Sequence, residues 1–267
     1  MFYRAVHAFL LGASVLFLTQ IEAGPKKSSR LKKRAAPQRL EQQQKPTQID
    51  QIIPPEIKQD VFFDAIYRLA RSERLETILE IGSSSGEGST EAFVKGINEN
   101  PFHPTLYCME VSTVRFKALK DRYSTNRSVV CHHVSSVPVE SFPSEEEVLT
   151  FMKTVNTSLR GYDPAEVISW LRRDIDYVKV ANVPQNGIER IKAEQEIENF
   201  DMVLIDGSEF TGQAEFKLIY GAKFILLDDI RAFKNYQNYM ALLSDTNYEL
   251  IEEDPMLRNG YAIFRRL

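Results

Sequence analysis

Two groups of residues in this chain have types and spacing that could do chemistry. The first is the run Glu80-Ile81-Gly82-Ser83-Ser84-Ser85-Gly86-Glu87-Gly88-Ser89-Thr90, which leaves an apolar stretch and enters a helical one. Small residues there let the backbone turn tightly and come close to a ligand, and the N–H groups at a helix start can meet polar or anionic atoms. Glu110 ends the next apolar stretch, 22 residues after Gly88. A carboxylate at that place can accept hydrogen bonds from both hydroxyls of a ribose. The second group is acidic: Asp206 ends DMVLID, and Asp228 and Asp229 end KFILLDDI. Three carboxylates brought to one crevice repel one another unless they are protonated or neutralised by a cation. A hard divalent ion with oxygen ligands, Mg²⁺ most naturally, is the simplest neutraliser. The alternative is that Asp228 or Asp229 caps the following helix while Asp206 is a lone polar strand end.

These residues need a frame that brings them together. Helical periodicity starts at Pro54-Pro55, with Ile57, Val61, Phe62, Ala65, Ile66 and Leu69 on one face. Short apolar runs then alternate with helical ones: TILEI, LYCMEV, SVVCHHV, DMVLID and KFILLDDI read as five strands. The chain closes with YELIEE and GYAIFRR, split by a turn around Asn259-Gly260, which read as an antiparallel pair. Strands that are apolar on both faces and alternate with helices form a parallel sheet covered on both sides. The fold class is therefore α/β, a Rossmann-like doubly wound, mainly parallel seven-stranded sheet. Between SVVCHHV and DMVLID lie about 65 residues, more than a crossover needs. SEEEVLTFMKTV, DPAEVISWLRRDIDYVKV and GIERIKAEQEI within it are helical by pattern, which predicts a helical insertion or lid over 137–200 near the site. A purely structural excursion is the other reading, with Phe151, Met152 and Trp170 as its core in either case.

The motifs resemble those of the class I S-adenosylmethionine-dependent methyltransferases. ILEIGSSSGEGST is similar to their first motif, and the resemblance implies cofactor contacts from Glu80, Gly82, Ser84, Ser85 and Gly86, with Glu80 beside the methionine part. Glu110 takes the place of the ribose-binding acid, and Ser135 after the third strand would lie near adenine. Asp206, Asp228 and Asp229 resemble the metal ligands of metal-dependent O-methyltransferases of the macrocin/novobiocin sugar type. The segment DGSEFTGQAEF…GAKFILLDD is also similar to uncharacterised bacterial methyltransferase-like proteins. The implied activity is methylation of a small-molecule or sugar hydroxyl, with S-adenosylmethionine as cofactor, Mg²⁺ assistance, and Asp206 and Glu209 as the reacting side chains. Ser208 stands where the sugar enzymes carry a second aspartate, so the base is not given by the resemblance. The glycine spacing also matches short-chain dehydrogenases, but no tyrosine here has a lysine four residues on, as their proton transfer requires. A methyltransferase-like domain without catalysis, serving as a binding or surface protein, is the competing reading from another class.

Composition limits the rest. The 267 residues carry a net charge of −4, which provides no overall electrostatic footprint for nucleic acid. Cys108 and Cys131 are the whole cysteine inventory, too few for a disulfide scaffold or a thiolate metal cluster. His132 and His133 are adjacent, so on a strand they face opposite sides and cannot chelate together. No G-x-S-x-G elbow and no P-loop pattern occurs. Residues 1–23 have the charge, apolar core and small-residue order of a secretory signal ending near Ala23, favoured over a short membrane anchor. The cations that follow, Lys26 through Arg39, argue instead for a domain held on the cytoplasmic side of such an anchor. Residues 24–50 read as a disordered basic linker and 51–267 as the methyltransferase-like domain. The oligomeric state is open.

Overall fold

The computed structural model of the protein describes residues 48–267. The expectations for residues 1–23 and for most of the basic linker lie outside the described residues. Among the described residues, no helix is long and apolar enough to cross a membrane.

Seven strands form one sheet: β1 (Thr77–Ile81), β2 (Thr105–Glu110), β3 (Val129–His133), β4 (Met202–Ile205), β5 (Phe224–Asp228), β6 (Tyr248–Asp254) and β7 (Tyr261–Arg266). Their order is β3-β2-β1-β4-β5-β7-β6. The first five are parallel, and β7 enters antiparallel between β5 and β6. The doubly wound, mainly parallel seven-stranded sheet expected from the sequence is present.

Strand side chains alternate between two faces, and each face has its own core. Ile78, Leu106, Cys108, Leu204 and Leu226 pack against α1 (Val61–Ser72), α2 (Ser89–Glu99) and Leu119 of α3 (Thr113–Arg122). Leu79, Tyr107, Val203, Ile225 and Phe264 pack on the other face against Ile188, Ile219 and Leu242. The chain leaves β1 toward β2 and β3, then returns across the sheet to β4. The order therefore reverses between β1 and β4, and a crevice opens beyond their C-terminal ends.

Two differences from the sequence expectation have clear causes. The first long helix starts at Val61, not at Pro54-Pro55, because Asp60 caps it by accepting the Phe63 N–H at 2.8 Å. Asp60 is itself held by Arg258, and Gln59 is in the left-handed region at φ 55°. The linker also ends earlier than residue 50: Gln48–Asp50 form a short 3-10 turn that Arg173 and Tyr177 tie to the domain at 3.0 and 2.6 Å. The helical insertion expected over 137–200 is packed onto the loops of the sheet. Its helices α4 (Glu145–Thr154), α5 (Pro164–Val180) and α6 (Gly187–Glu194) begin at a Ser144/Glu147 capping box, an Asp163 cap with Pro164 at the first position, and Asn186. Val148, Phe151, Met152, Val167 and Leu171 form a third core with Phe210 and Phe233 from the loops after β4 and β5. Two short helices complete the chain, α7 (Gly212–Ile219) and α8 (Tyr236–Ser244).

Candidate active site

A cavity of about 500 Å³ occupies the crevice beyond β1 and β4. At one end it is lined by Gly82, Ser84, Glu110, Val111 and Ser135; at the other by Asp206, Glu209, Asp229 and Lys234. Trp170, Asp174 and Tyr177 of α5 supply one wall, so the insertion is part of the site. That volume suits a ligand of cofactor size.

The turn after β1 is set by backbone geometry. Gly82 has φ +90°, and a Cβ there would sit 2.1 Å from the Asp206 carbonyl oxygen. Only glycine allows that approach of the β1 turn to the end of β4. Its N–H and that of Ser83 both donate to the Met109 carbonyl, at 3.1 and 3.0 Å, which ties the turn to β2 as well. Ser84 is left-handed at φ 48°. Such a conformation costs a non-glycine residue about 1–3 kcal/mol and is found where surroundings impose it.

The expected cofactor residues divide by position. Gly82, Ser84, Glu110 and Ser135 line the cavity. Glu80, Ser85 and Gly86 do not line it. Glu80 is fully buried and accepts hydrogen bonds from Ser89 Oγ and Thr90 Oγ1, both at 2.7 Å. It braces the start of α2 and lies beneath the turn rather than beside a ligand. Gly86 turns at φ +81° and its carbonyl accepts from the Tyr123 hydroxyl at 2.6 Å. Ser135 Oγ donates to the Val137 carbonyl at 2.8 Å, so the side chain is engaged in its own loop.

Glu110 is buried, and one of its oxygens accepts the Ser112 N–H at 2.6 Å. Burial pushes its carboxyl above the usual range, while the N–H groups of Ser112, Ser84 and Val111 and the Arg115 charge oppose this. The carboxylate is thus fixed in orientation at the edge of the cavity.

At the opposite end the three aspartates do converge, with one oxygen of each within 4.8 Å of the others. The sequence did not reveal what meets them. Lys234 Nζ donates to Asp206 Oδ1 at 2.8 Å and to Asp229 Oδ2 at 2.7 Å, with only 7% of its side chain exposed. Arg258 Nη2 donates to Asp228 Oδ1 at 3.1 Å, and Asn259 Nδ2 to Asp229 Oδ1 at 3.0 Å. Burial alone would push Lys234 down, but Asp206, Asp229, Asp228 and Glu209 together hold it well above its ordinary value, as an ammonium. Burial also works against Asp229, yet Lys234 and the Asn259 hydrogen bond keep its carboxyl below the usual range. Burial pushes Asp206 well up, Lys234 opposes, and the charges of Asp228 and Asp229 add to the rise.

This donor set does not fit the expected Mg²⁺. Two of the three carboxylates already hold an ammonium between them, and the third points to a guanidinium and does not line the cavity. A divalent ion here would have to displace a buried ammonium from the two carboxylates that hydrogen-bond it. The alternative that Asp228 or Asp229 caps a helix also fails, because α8 begins later, with Asn235 at its N-cap.

Glu209 is a carboxylate in this part of the cavity suited to move a proton. Its Oε1 accepts the Phe233 N–H at 2.7 Å. Burial raises its pKa to about 7, with the Asp229 charge adding to the rise and Lys234 opposing it. Two further polar groups were not singled out from the sequence. Glu215 is buried in the cavity wall, where Ser136 Oγ and Thr211 Oγ1 donate to its Oε1 at 2.5 and 2.7 Å and its Oε2 has no partner. Asp174 accepts from Ser208 Oγ at 2.8 Å, which turns Ser208 toward α5. His132 and His133 lie outside the cavity. His133 Nε2 is 3.0 Å from the Val111 carbonyl and its ring stacks on Phe116, as expected of half-buried polar residues.

No protein-family model matches this chain, and no curated protein matches it. Its fold is similar to those of several solved structures. One is an O-methyltransferase from Bacillus cereus in complex with SAH, 12% identical, with 80% of this chain and 84% of that one covered and a TM-score of 0.48. Another is a methyltransferase from Geobacter sulfurreducens, 11% identical, covering 79% and 81% with a TM-score of 0.47. A third is the O-methyltransferase TomG from Streptomyces achromogenes, in complex with SAM, 13% identical, covering 77% and 79% with a TM-score of 0.42.

Proposed function

We propose that this protein is an S-adenosylmethionine-dependent methyltransferase acting on the oxygen of a small-molecule or sugar hydroxyl. The observation that carries this reading is the continuity of one cavity from Glu110 and the Gly82 turn to Glu209 and Lys234. The first end suits a nucleoside: a fixed carboxylate at the end of β2, a backbone turn that can come close to a ligand, and apolar Met109, Val111 and Val134 beside it. When bound there, S-adenosylmethionine supplies an electrophilic methyl group. The other functions belong to this chain. Glu110 offers carboxylate oxygen to ribose hydroxyls. Trp170 and Tyr177 of α5 form a wall of the crevice. Glu209, with a pKa near 7, is ionised in about half of the molecules at neutral pH. It is the general base that takes the acceptor hydroxyl proton, and its value lies where base catalysis is most effective. Asp206 acts through Lys234, which it holds in place.

Titration calorimetry of the full chain with S-adenosylmethionine tests the reading. Binding that is lost in Glu110→Ala supports it. Absence of binding by the wild-type chain would sink it.

A further inference from the structure

We infer that Lys234 is the resident cation of the acceptor end, standing in the place of a divalent metal, and that its ammonium binds the acceptor oxygen directly. The inference rests on the methyltransferase reading of the same cavity, but its geometry is independent of the cofactor end.

An ammonium has three N–H donors and no acceptor. Asp206 Oδ1 and Asp229 Oδ2 take two of them at 2.8 and 2.7 Å, one from the end of β4 and one from the loop after β5. Lys234 and Glu209 both line the cavity, and the third donor is the one left for a ligand oxygen. Nothing about this placement is left to a mobile side chain. Asn235, the next residue, donates through Nδ2 to the Ile205 carbonyl at 3.0 Å and to the Asp228 carbonyl at 2.6 Å, joining the ends of β4 and β5. Gly212 lies so close to the Lys234 carbonyl oxygen that a Cβ there would be 2.0 Å from it. Asp229 is held at φ 57°, a strained position that turns its carboxylate to the ammonium. Each aspartate has a cation of the chain beside it: Lys234 pairs with Asp206 and Asp229, and Arg258 with Asp228 and Asp60.

A hydroxyl placed between Lys234 and Glu209 would lose its proton to the Glu209 carboxylate. The O–H bond breaks, the electron pair remains on oxygen, and the negative charge that develops there faces the ammonium. Lys234 stays protonated throughout and stabilises the oxyanion as a buried, fixed cation, where such a charge acts strongly. It does the electrostatic part of what a metal would do, without open coordination positions, so the acceptor needs one hydroxyl and not a chelating pair.

The experiment is Mn²⁺ binding to the full chain, followed by electron paramagnetic resonance, on wild type, Lys234→Met and Asp206→Asn, with S-adenosylmethionine calorimetry on the same samples. The expected result is no Mn²⁺ binding in wild type that Asp206→Asn removes, and at least tenfold tighter Mn²⁺ binding in Lys234→Met, whose carboxylates have lost their cation. Mn²⁺ binding by wild type that disappears in Asp206→Asn overturns the inference, and so does a folded Lys234→Met that gains none. If Lys234→Met does not fold, the comparison of wild type with Asp206→Asn decides alone: Asp206-dependent binding overturns the inference and its absence supports it. Failure of the methyltransferase reading would show separately, as loss of S-adenosylmethionine binding in wild type.

Discussion

Glu209 is a carboxylate whose surroundings suit it to a base. Burial raises its pKa to about 7, so the ionised form that accepts a proton accumulates as pH rises through that value. Methyl transfer should therefore increase from pH 6 to pH 8 and level off above. Glu209→Gln should lower kcat by about 10²–10⁴-fold, the usual worth of a positioned base, and abolish that rise. A pH–rate profile of both proteins checks it, and an unchanged profile in the variant would assign the proton to another group. Glu110 acts on binding instead. Charge-assisted hydrogen bonds are worth about 1.5–3 kcal/mol each, so Glu110→Ala should weaken S-adenosylmethionine binding roughly ten- to a hundredfold by calorimetry. At this scale much was legible from residue type and position. Glu110 and Asp206 each end an apolar run, and a strand end in a parallel sheet is where such folds place ligands. Glu80 does not line the cavity because strand alternation sends it to the opposite face from Ile81, under the turn and onto Ser89 and Thr90. Lys234 gave no signal, since a lysine in a loop is ordinarily solvated and nothing in its sequence neighbours shows burial.

The elements that hold these residues can be tested by small changes in their loops. Gly82→Ala would put a methyl group against the Asp206 carbonyl at a φ of +90°. Strain and overpacking together should cost about 3 kcal/mol or more, read as a lower urea midpoint. A variant as stable as wild type would mean that the β1 turn does not require this contact with β4. Asn235 gives a second test at the same scale. Asn235→Ala leaves the buried carbonyls of Ile205 and Asp228 without their shared donor, at about 1–3 kcal/mol for each unsatisfied group. The expected loss in urea unfolding is about 2–5 kcal/mol, because Asn235 joins the ends of β4 and β5 through both carbonyls. The strands and most helices could be read from periodicity, and α5 also from the Asp163-Pro164 start. The start of α1 could not, because Asp60 caps it with the help of Arg258, 198 residues later.

Across the whole molecule, ligand binding and folding should be linked. A ligand at a hundred times its Kd stabilises the native state by about 2.7 kcal/mol. For a domain of this size that corresponds to a rise in Tm of roughly 5–10 °C. S-adenosylmethionine should give such a shift in the full chain and a much smaller one in Glu110→Ala, as measured by scanning calorimetry at matched concentrations. Equal shifts in the two would place the ligand elsewhere. The insertion is coupled to the same event, since α5 contributes Trp170, Asp174 and Tyr177 to the cavity wall and Tyr177 also donates to Asp50 at 2.6 Å. Its role as a wall follows from packing: the third core joins α4 and α5 to Phe210 and Phe233, which come from the loops carrying Glu209 and Lys234.

The sequence by itself determined the alternation of strands and helices, the glycine turn after β1, the acid ending β2 and the convergence of Asp206 with Asp228 and Asp229. Each depends on local periodicity or on a residue's place at a strand end, and both are short-range properties. Only the tertiary structure decided what neutralises those aspartates. Lys234 reaches Asp206 across 28 residues and Arg258 reaches Asp228 across 30, through loops whose course is set by packing and by Asn235. A cluster of carboxylates written in a sequence requires a cation, but electrostatics is indifferent to whether that charge arrives as an ion or as a side chain. The choice belongs to the fold, because only the fold determines which ammonium is buried within reach.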